Sequence, residues 1–389
     1  MIRAYLDNNA TTRPLPEVVE VVCSSMADSY LNPSSAAAAF LQADKDPVVR
    51  ARAALGALLR APPEGFIFTS GASEANSWVA SIVPPTGHIV TSAMEHPSLR
   101  LALEAAERRG ARVSWILPDA SGIVPVDAVC TALEPDTALV SIMLANNETG
   151  VVQPLGGIAD AVRMRAPSCL VHTDATQAVG RVPLDLGGLL SQVDLVSMSA
   201  HKLHGPRGIG ALFVRPDVKV EPLVYGEQAD GLRGGTHNSP GIAGFAVAAE
   251  QAAIHMRDWE SHVVPLRSYL ESRLLRLLPG AWINGSAAER LPNTISLTVP
   301  GLDAADLVDQ LALAGICLST GAACSAGANE PSRTLLATGL SYSDALSTLR
   351  FSLSRFTLAH EVEAALTALG AILGASATMD SAEDAHAES

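Results

Sequence analysis

The sequence predicts an α/β fold: a mostly parallel sheet covered by helices on both faces, followed by a smaller α+β region. Three observations lead there. Between Gly65 and Val214, short apolar runs alternate with helix-like segments, the pattern of parallel strands joined by crossover helices. Those runs are mainly apolar, as strands covered on both faces require. The composition, 48% hydrophobic and 17% charged over 389 residues, fits large buried cores rather than a disordered chain or a coiled coil.

Taken in order, residues 4–12 read as a short strand and a polar loop. Pro14 and Pro16 precede a helix over 17–27, Asn32-Pro33-Ser34-Ser35 form a turn, and an amphipathic helix covers 47–59. Strands follow at 66–69, 88–92, 112–117, 139–144, 169–173 and 195–199, with a further apolar run at 209–214. Residues 239–278 read as two helices, the first rich in alanine. Then come strand 294–299, helix 304–314, strand 316–319, helix 332–338, strand 349–353 and helix 359–373. We expect a large α/β domain of 15–255, a small α+β domain of 1–14 with 256–374, and a disordered acidic tail of 375–389.

The balance of 40 acidic against 26 basic residues, net charge −14, opposes a nucleic-acid groove as the main function. No apolar run reaches the length of a membrane span and no signal segment opens the chain, so a cytoplasmic protein is expected. The five cysteines include no CxxC pair, which argues against a disulfide framework or a metal site. Cys23, Cys130, Cys169 and Cys317 read as small core residues. Cys324 does not. It lies in Ser319-Thr320-Gly321-Ala322-Ala323-Cys324-Ser325-Ala326-Gly327, where small residues leave a loop with little packing to fix it.

Five clusters fall at predicted strand exits. Lys202 follows the strand 195–199 and precedes a glycine-rich turn; an amine with an apolar approach loses hydration and becomes a nucleophile able to form a Schiff base. Gly71-Ala72-Ser73 opens a helix whose free N–H groups and dipole suit a phosphate, although Ser73 can equally be an ordinary cap. Pro97 holds His96 out of the helix, where it can stack on a ring or shuttle a proton, or simply sit on the surface. Asn146 and Asn147 can bind an oxyanion or form an Asx turn. Asp174 ends an apolar strand, where an unpaired carboxylate is costly; a protonated pyridine nitrogen would resolve that cost, and a helix cap is the competing role. Together these are the parts that pyridoxal 5'-phosphate needs.

On these motifs the chain resembles the NifS/IscS-like cysteine desulfurases, in the class V aminotransferase branch of fold-type-I pyridoxal-phosphate enzymes. The likeness runs from Leu6-Asp7-Asn8-Asn9-Ala10-Thr11-Thr12 to Leu349-Arg350-Phe351-Ser352, nearly the whole chain. The resemblance implies that Lys202 carries the cofactor, Asp174 meets its ring nitrogen, Gln177 its phenolic oxygen, and His96 stacks on the ring. It places Asn147 near that oxygen and the substrate. It assigns Ala72, Ser73, Ser199 and His201 to the phosphate, with Thr236 reaching it from the other subunit of a homodimer. Cys324 matches the catalytic cysteine, and Arg350, helped by Asn32, the residues holding the substrate carboxylate. Where many relatives carry a histidine after Asn32-Pro33-Ser34-Ser35, this chain has Ala36 to Ala39.

The implied activity is removal of sulfur from L-cysteine, with a persulfide on Cys324 passed to an acceptor such as an iron–sulfur scaffold protein or a tRNA-thiolation relay. The rivals are a selenocysteine lyase or aminotransferase of the same fold, and a non-catalytic sulfur-relay platform.

Overall fold

The computed structural model describes residues 1–28, 32, 46–321 and 330–387, the side chains of 375–387 excepted. Along the chain the elements run β1 (Ala4–Tyr5), α1 (Pro16–Asp28), α2 (Pro47–Leu59), β2 (Phe66–Thr69), α3 (Ala72–Ser81), β3 (His88–Ser92), α4 (Pro97–Arg108), β4 (Arg112–Ile116), α5 (Val126–Ala132), β5 (Thr137–Ser141), α6 (Leu155–Arg165), β6 (Leu170–Asp174), β7 (Leu195–Ser199) and β8 (Gly210–Val214). There follow α7 (Ser239–Ile254), α8 (Val264–Leu277), β9 (Trp282–Ile283), β10 (Thr294–Thr298), α9 (Ala304–Leu313), β11 (Ile316–Cys317), β12 (Ser319–Thr320), α10 (Arg333–Ala337), α11 (Tyr342–Leu346), β13 (Thr348–Ser352) and α12 (Ala359–Ala387).

One compact unit comprises Thr11–Asn147 and Val151–Arg257. Its seven-stranded sheet has the order β2-β8-β7-β6-β5-β3-β4. The pairs β3–β4, β3–β5, β5–β6 and β6–β7 are parallel, whereas β8 runs antiparallel to both β7 and β2. Two antiparallel steps restore the direction, so β2 points the same way as β3, β5, β6 and β7. The carboxyl ends of these five strands therefore share one edge of the sheet, where sites of such sheets collect. Every residue of β2, β3, β7 and β8 is buried, which accounts for their mainly apolar character; buried polar residues among them, such as His88, Thr91 and Ser197, are hydrogen-bonded. On one face α3 and α4 contribute Trp78, Val79, Leu99 and Leu103 to a core shared with Ile89, Leu139, Leu195 and Leu212. α7 is buried along most of its length and packs against α1 and α2.

The other unit comprises Met1–Ala10, Glu148–Gly150 and the described residues from Asp258 onward. It carries an antiparallel sheet of order β12-β13-β10-β9 and the parallel pair β1–β11. Helix starts follow the expected cap chemistry. Asp303 accepts from the N–H groups of Ala305 and Asp306 at 3.0 Å to start α9, and Ser332 and Ser341 start α10 and α11.

Four expectations shift. The strand expected at 139–144 is β5, Thr137–Ser141; beyond it the N–H groups of Ile142 and Leu144 still reach the carbonyls of His172 and Asp174 in β6, at 3.2 and 3.1 Å, while the N–H of Met143 goes to the Glu95 carboxyl. The strand expected at 316–319 is two short ones, because the chain changes partner at Leu318, from β1 to β13. Residues 375–387, expected as a disordered tail, continue the backbone of α12. Five alanines and no glycine or proline in that stretch give it the helix propensity that its acidic composition concealed. Cys23 is exposed, not a core residue: α1 buries Val18, and Cys23 lies off that face.

Candidate active site

The first unit gathers the cofactor-type residues at the shared sheet edge. Asp174 is the last residue of β6 and is buried. Its Oδ1 accepts from the N–H of Thr176 at 2.9 Å, a local turn bond; no helix starts here, so Asp174 is not a helix cap. Its Oδ2 accepts from Nδ2 of Asn76 at 2.7 Å. A carboxylate has lone pairs for further donors beyond these two.

His96 is the N-cap of α4, not a loose surface ring. Its Nδ1 accepts from the N–H of Ser98 at 3.1 Å and lies 2.8 Å from the Ser98 hydroxyl. The second hydrogen on Asn76 Nδ2 goes to that same hydroxyl oxygen, at 2.9 Å. The Ser98 O–H is thereby turned toward His96. With two donors on Nδ1, the neutral ring carries its proton on Nε2. Burial lowers the pKa of His96 below the ordinary histidine value; the Asp174 charge opposes this and the Lys202 charge reinforces it. Asp174 and Lys202 thus act on one imidazole from within one neighbourhood.

Lys202 ends the short 3-10 turn Ala200–Lys202 that follows β7 and is half-buried. Beside it, Nδ1 of His201 lies 3.1 Å from the Thr11 hydroxyl. Burial pushes His201 down to about 4, helped by the charges of Lys202, Arg207 and Arg181. Gln177 is buried in the turn after Asp174, and its Oε1 accepts from Nη1 of Arg181.

The start of α3 settles the reading of Ser73. The N-cap is Gly71, it has no side chain to cap with, and no side chain caps the helix; Ser73 sits one residue inside and is exposed. A Cβ on Gly210 would lie 2.7 Å from Gly71 Cα and 2.5 Å from the Met198 carbonyl, and one on Gly71 would lie 3.8 Å from the Ser199 hydroxyl. The bare helix start, Ser199 and the β7–β8 ladder therefore adjoin. Glu74 holds this turn, accepting from the Ser70 N–H at 2.7 Å and pairing with Arg233 at 2.9 Å. The pair tethers the segment Arg233-Gly234-Gly235-Thr236, in which Thr236 is exposed. Asn147 is buried after β5 and Asn32 is exposed.

In the other unit Arg350, on β13, is 1% exposed and its Nη2 donates to Oδ1 of Asp7 at 2.7 Å. Burial pushes the Glu148 carboxyl up to about 7, against the Ser332 hydroxyl and the Arg350 charge, which favour its ionised form. Cys324 and Ala36 to Ala39 lie outside the described residues.

Sequence reasoning did not assign Asn76, Ser98, Glu95, His172 or Arg181. Glu95 is buried, with Oε1 accepting from the Ser92 hydroxyl and the Met143 N–H, each at 2.8 Å. Its adjacency to His96 was the available signal. His172 sits inside β6 between the hydroxyls of Ser141 and Ser197, at 2.7 and 2.9 Å; burial lowers it to about 4, so it stays neutral.

Residues 4–365 match the family described as aminotransferase class-V. A protein of Trichormus azollae named cysteine desulfurase is 39% identical over 364 residues, covering 92% of this chain and 90% of that protein. A solved structure described as a NifS-like protein superposes with a TM-score of 0.88 at 34% identity, over 96% of this chain and 100% of that one. Another, described as SspA in complex with cysteine, gives a TM-score of 0.77 at 31% identity, over 91% of this chain and 100% of that one. A parallel sheet whose strand exits present a lysine, a buried aspartate and a capped histidine, in a chain that matches over nearly its whole length, leads to one conclusion: the chain belongs to the class-V aminotransferase family.

Proposed function

We propose that this chain is a cysteine desulfurase that works with pyridoxal 5'-phosphate, taking sulfur from L-cysteine to leave L-alanine and a persulfide on Cys324. The observation that carries the reading is the convergence of Lys202, Asp174 and His96 at one sheet edge, electrostatically linked through the imidazole. The residues fit the cofactor. A helix start without a side-chain cap, next to Ser199, suits a phosphate, and a buried carboxylate with spare lone pairs suits a protonated ring nitrogen.

When bound, pyridoxal phosphate supplies an electron sink for bonds broken at the substrate's α-carbon. Nζ of Lys202 would hold the group until the substrate amine takes its place, and the freed amine would then take the α-proton. His96, with its proton on Nε2, acts there as a donor, which leaves Lys202 as the base. An oxygen of Asp174 keeps the ring nitrogen protonated, and Gln177 and Asn147 bind the phenolic oxygen. The N–H groups of Ala72 and Ser73, with Ser199 and His201, hold the phosphate, joined by Thr236 from a second copy in a homodimer. Arg350, helped by Asn32, pairs with the substrate carboxylate, for which its fork is shaped. The Cys324 thiolate takes the substrate sulfur: the carbon–sulfur bond breaks, a sulfur–sulfur bond forms, and the carbon leaves protonated as alanine. A sulfur-acceptor protein in the cytoplasm, such as an iron–sulfur scaffold, then receives the persulfide sulfur.

Replacement Cys324→Ala tests this reading. Alanine and sulfide formation from L-cysteine vanish while the visible absorbance of the loaded protein stays. Alanine formation at the unmutated rate would overturn the assignment.

A further inference from the structure

Arg181 is almost wholly buried, 3% exposed, and no step above uses it. It lies four residues after Gln177 in the turn that follows β6. That turn is drawn against the Lys202 segment: Gly180 has φ +74°, and a Cβ there would stand 3.4 Å from the Leu203 Cβ and 3.1 Å from the Ala252 Cβ. The two arms of the guanidinium then diverge. Nη1 donates to Oε1 of Gln177, and Nη2 donates to the carbonyl of Lys202 at 3.3 Å. One rigid planar group thus grips the amide proposed to meet the phenolic oxygen and the backbone of the lysine proposed to carry the cofactor.

We infer that Arg181 is a positioning residue: it fixes which end of the Gln177 amide faces the cofactor and ties that amide to the Lys202 backbone. A carboxamide has an accepting and a donating end. With Oε1 held by a guanidinium that can only donate, Gln177 presents its NH2 to an anionic oxygen. Loss of Arg181 removes the donor that holds Oε1 and lets the amide set oxygen against oxygen. A lysine at 181 keeps the charge but is a point donor and cannot span both acceptors. The inference rests on the pyridoxal-phosphate reading of the site.

The test is a pH titration of the visible band of the pyridoxal-phosphate-loaded protein, which reads proton affinity and not turnover. A donor to the phenolic oxygen stabilises the deprotonated chromophore, so losing it moves the midpoint upward. We expect Gln177→Leu and Arg181→Met each to raise the midpoint, by about one unit for a lost charge-assisted bond. The double variant moves no further than Gln177→Leu alone, because Arg181 acts through Gln177. Arg181→Lys, read in its place should Arg181→Met fail to fold, gives a smaller rise. A raised midpoint in Gln177→Leu with none in the Arg181 variants, or additive shifts in the double variant, would overturn the inference alone. An unmoved midpoint in Gln177→Leu would overturn the phenolic-oxygen assignment, and the inference with it.

Discussion

Both hydrogens on Asn76 Nδ2 are committed, one to Asp174 and one to Ser98, so this side chain serves Asp174, the proposed ring-nitrogen partner, and through Ser98 the histidine at once. Asn76→Ala removes a bond to a charged acceptor, worth about 1.5–3 kcal/mol. Pyridoxal phosphate should bind roughly tenfold or more weakly, as an equilibrium titration of the apoprotein would show. Glu95 offers a second residue-scale test. Burial first, and the Asp174 charge second, push its carboxyl from 4.5 to about 8, and Oε2 has no hydrogen-bond partner among the described residues. A folded pKa above the unfolded one favours the neutral form. The stability it contributes is whole below about 4.5 and is lost as pH rises through about 8. Glu95→Gln cannot ionise, so its unfolding free energy, measured from melts at each pH, should gain on that of the unmutated protein between pH 5 and pH 9 by an amount on the order of a few kcal/mol. A difference independent of pH would show that Glu95 is ionised throughout. Lys202, Asp174 and His96 were legible as residues because each follows a readable strand. The tautomer of His96 and the grip of Arg181 were not, since both depend on partners far away or on a turn whose closure no local pattern states.

At the scale of elements, β8 approaches the start of α3 closely. Gly210→Ala would force a Cβ to within 2.5 Å of the Met198 carbonyl and 2.7 Å of Gly71 Cα. Overpacking of this kind costs about 1–3 kcal/mol. The account expects a lower melting temperature together with weaker binding of pyridoxal phosphate, whose phosphate needs that helix start; lost stability with unchanged affinity would place the phosphate elsewhere. Most strands of the large sheet were readable because burial on both faces makes them mainly apolar runs. Their exact ends were less so: past Ser141 the N–H groups of Ile142 and Leu144 still reach β6 but that of Met143 goes to Glu95, and β11 and β12 divide because the chain trades one partner strand for another. The helical backbone of 375–387 was missed because acidic, small-residue composition resembles that of a disordered tail while its alanines favour a helix.

For the whole molecule, the α/β class followed from alternation and composition, and the family from motifs spread over most of the chain. The homodimer is a separate proposal; sedimentation should give about twice 40.3 kDa, and a monomer at working concentrations would remove Thr236 from the phosphate site. The central claim is that one amine carries the cofactor, and this chain is well suited to testing it, having only Lys45, Lys202 and Lys219. The decisive measurement is borohydride reduction of the pyridoxal-phosphate-loaded protein followed by peptide mass spectrometry. The account predicts a phosphopyridoxyl label on Lys202 and its disappearance in Lys202→Ala. A label confined to Lys45 or Lys219, or no label on a protein that had been saturated with the cofactor, would contradict it.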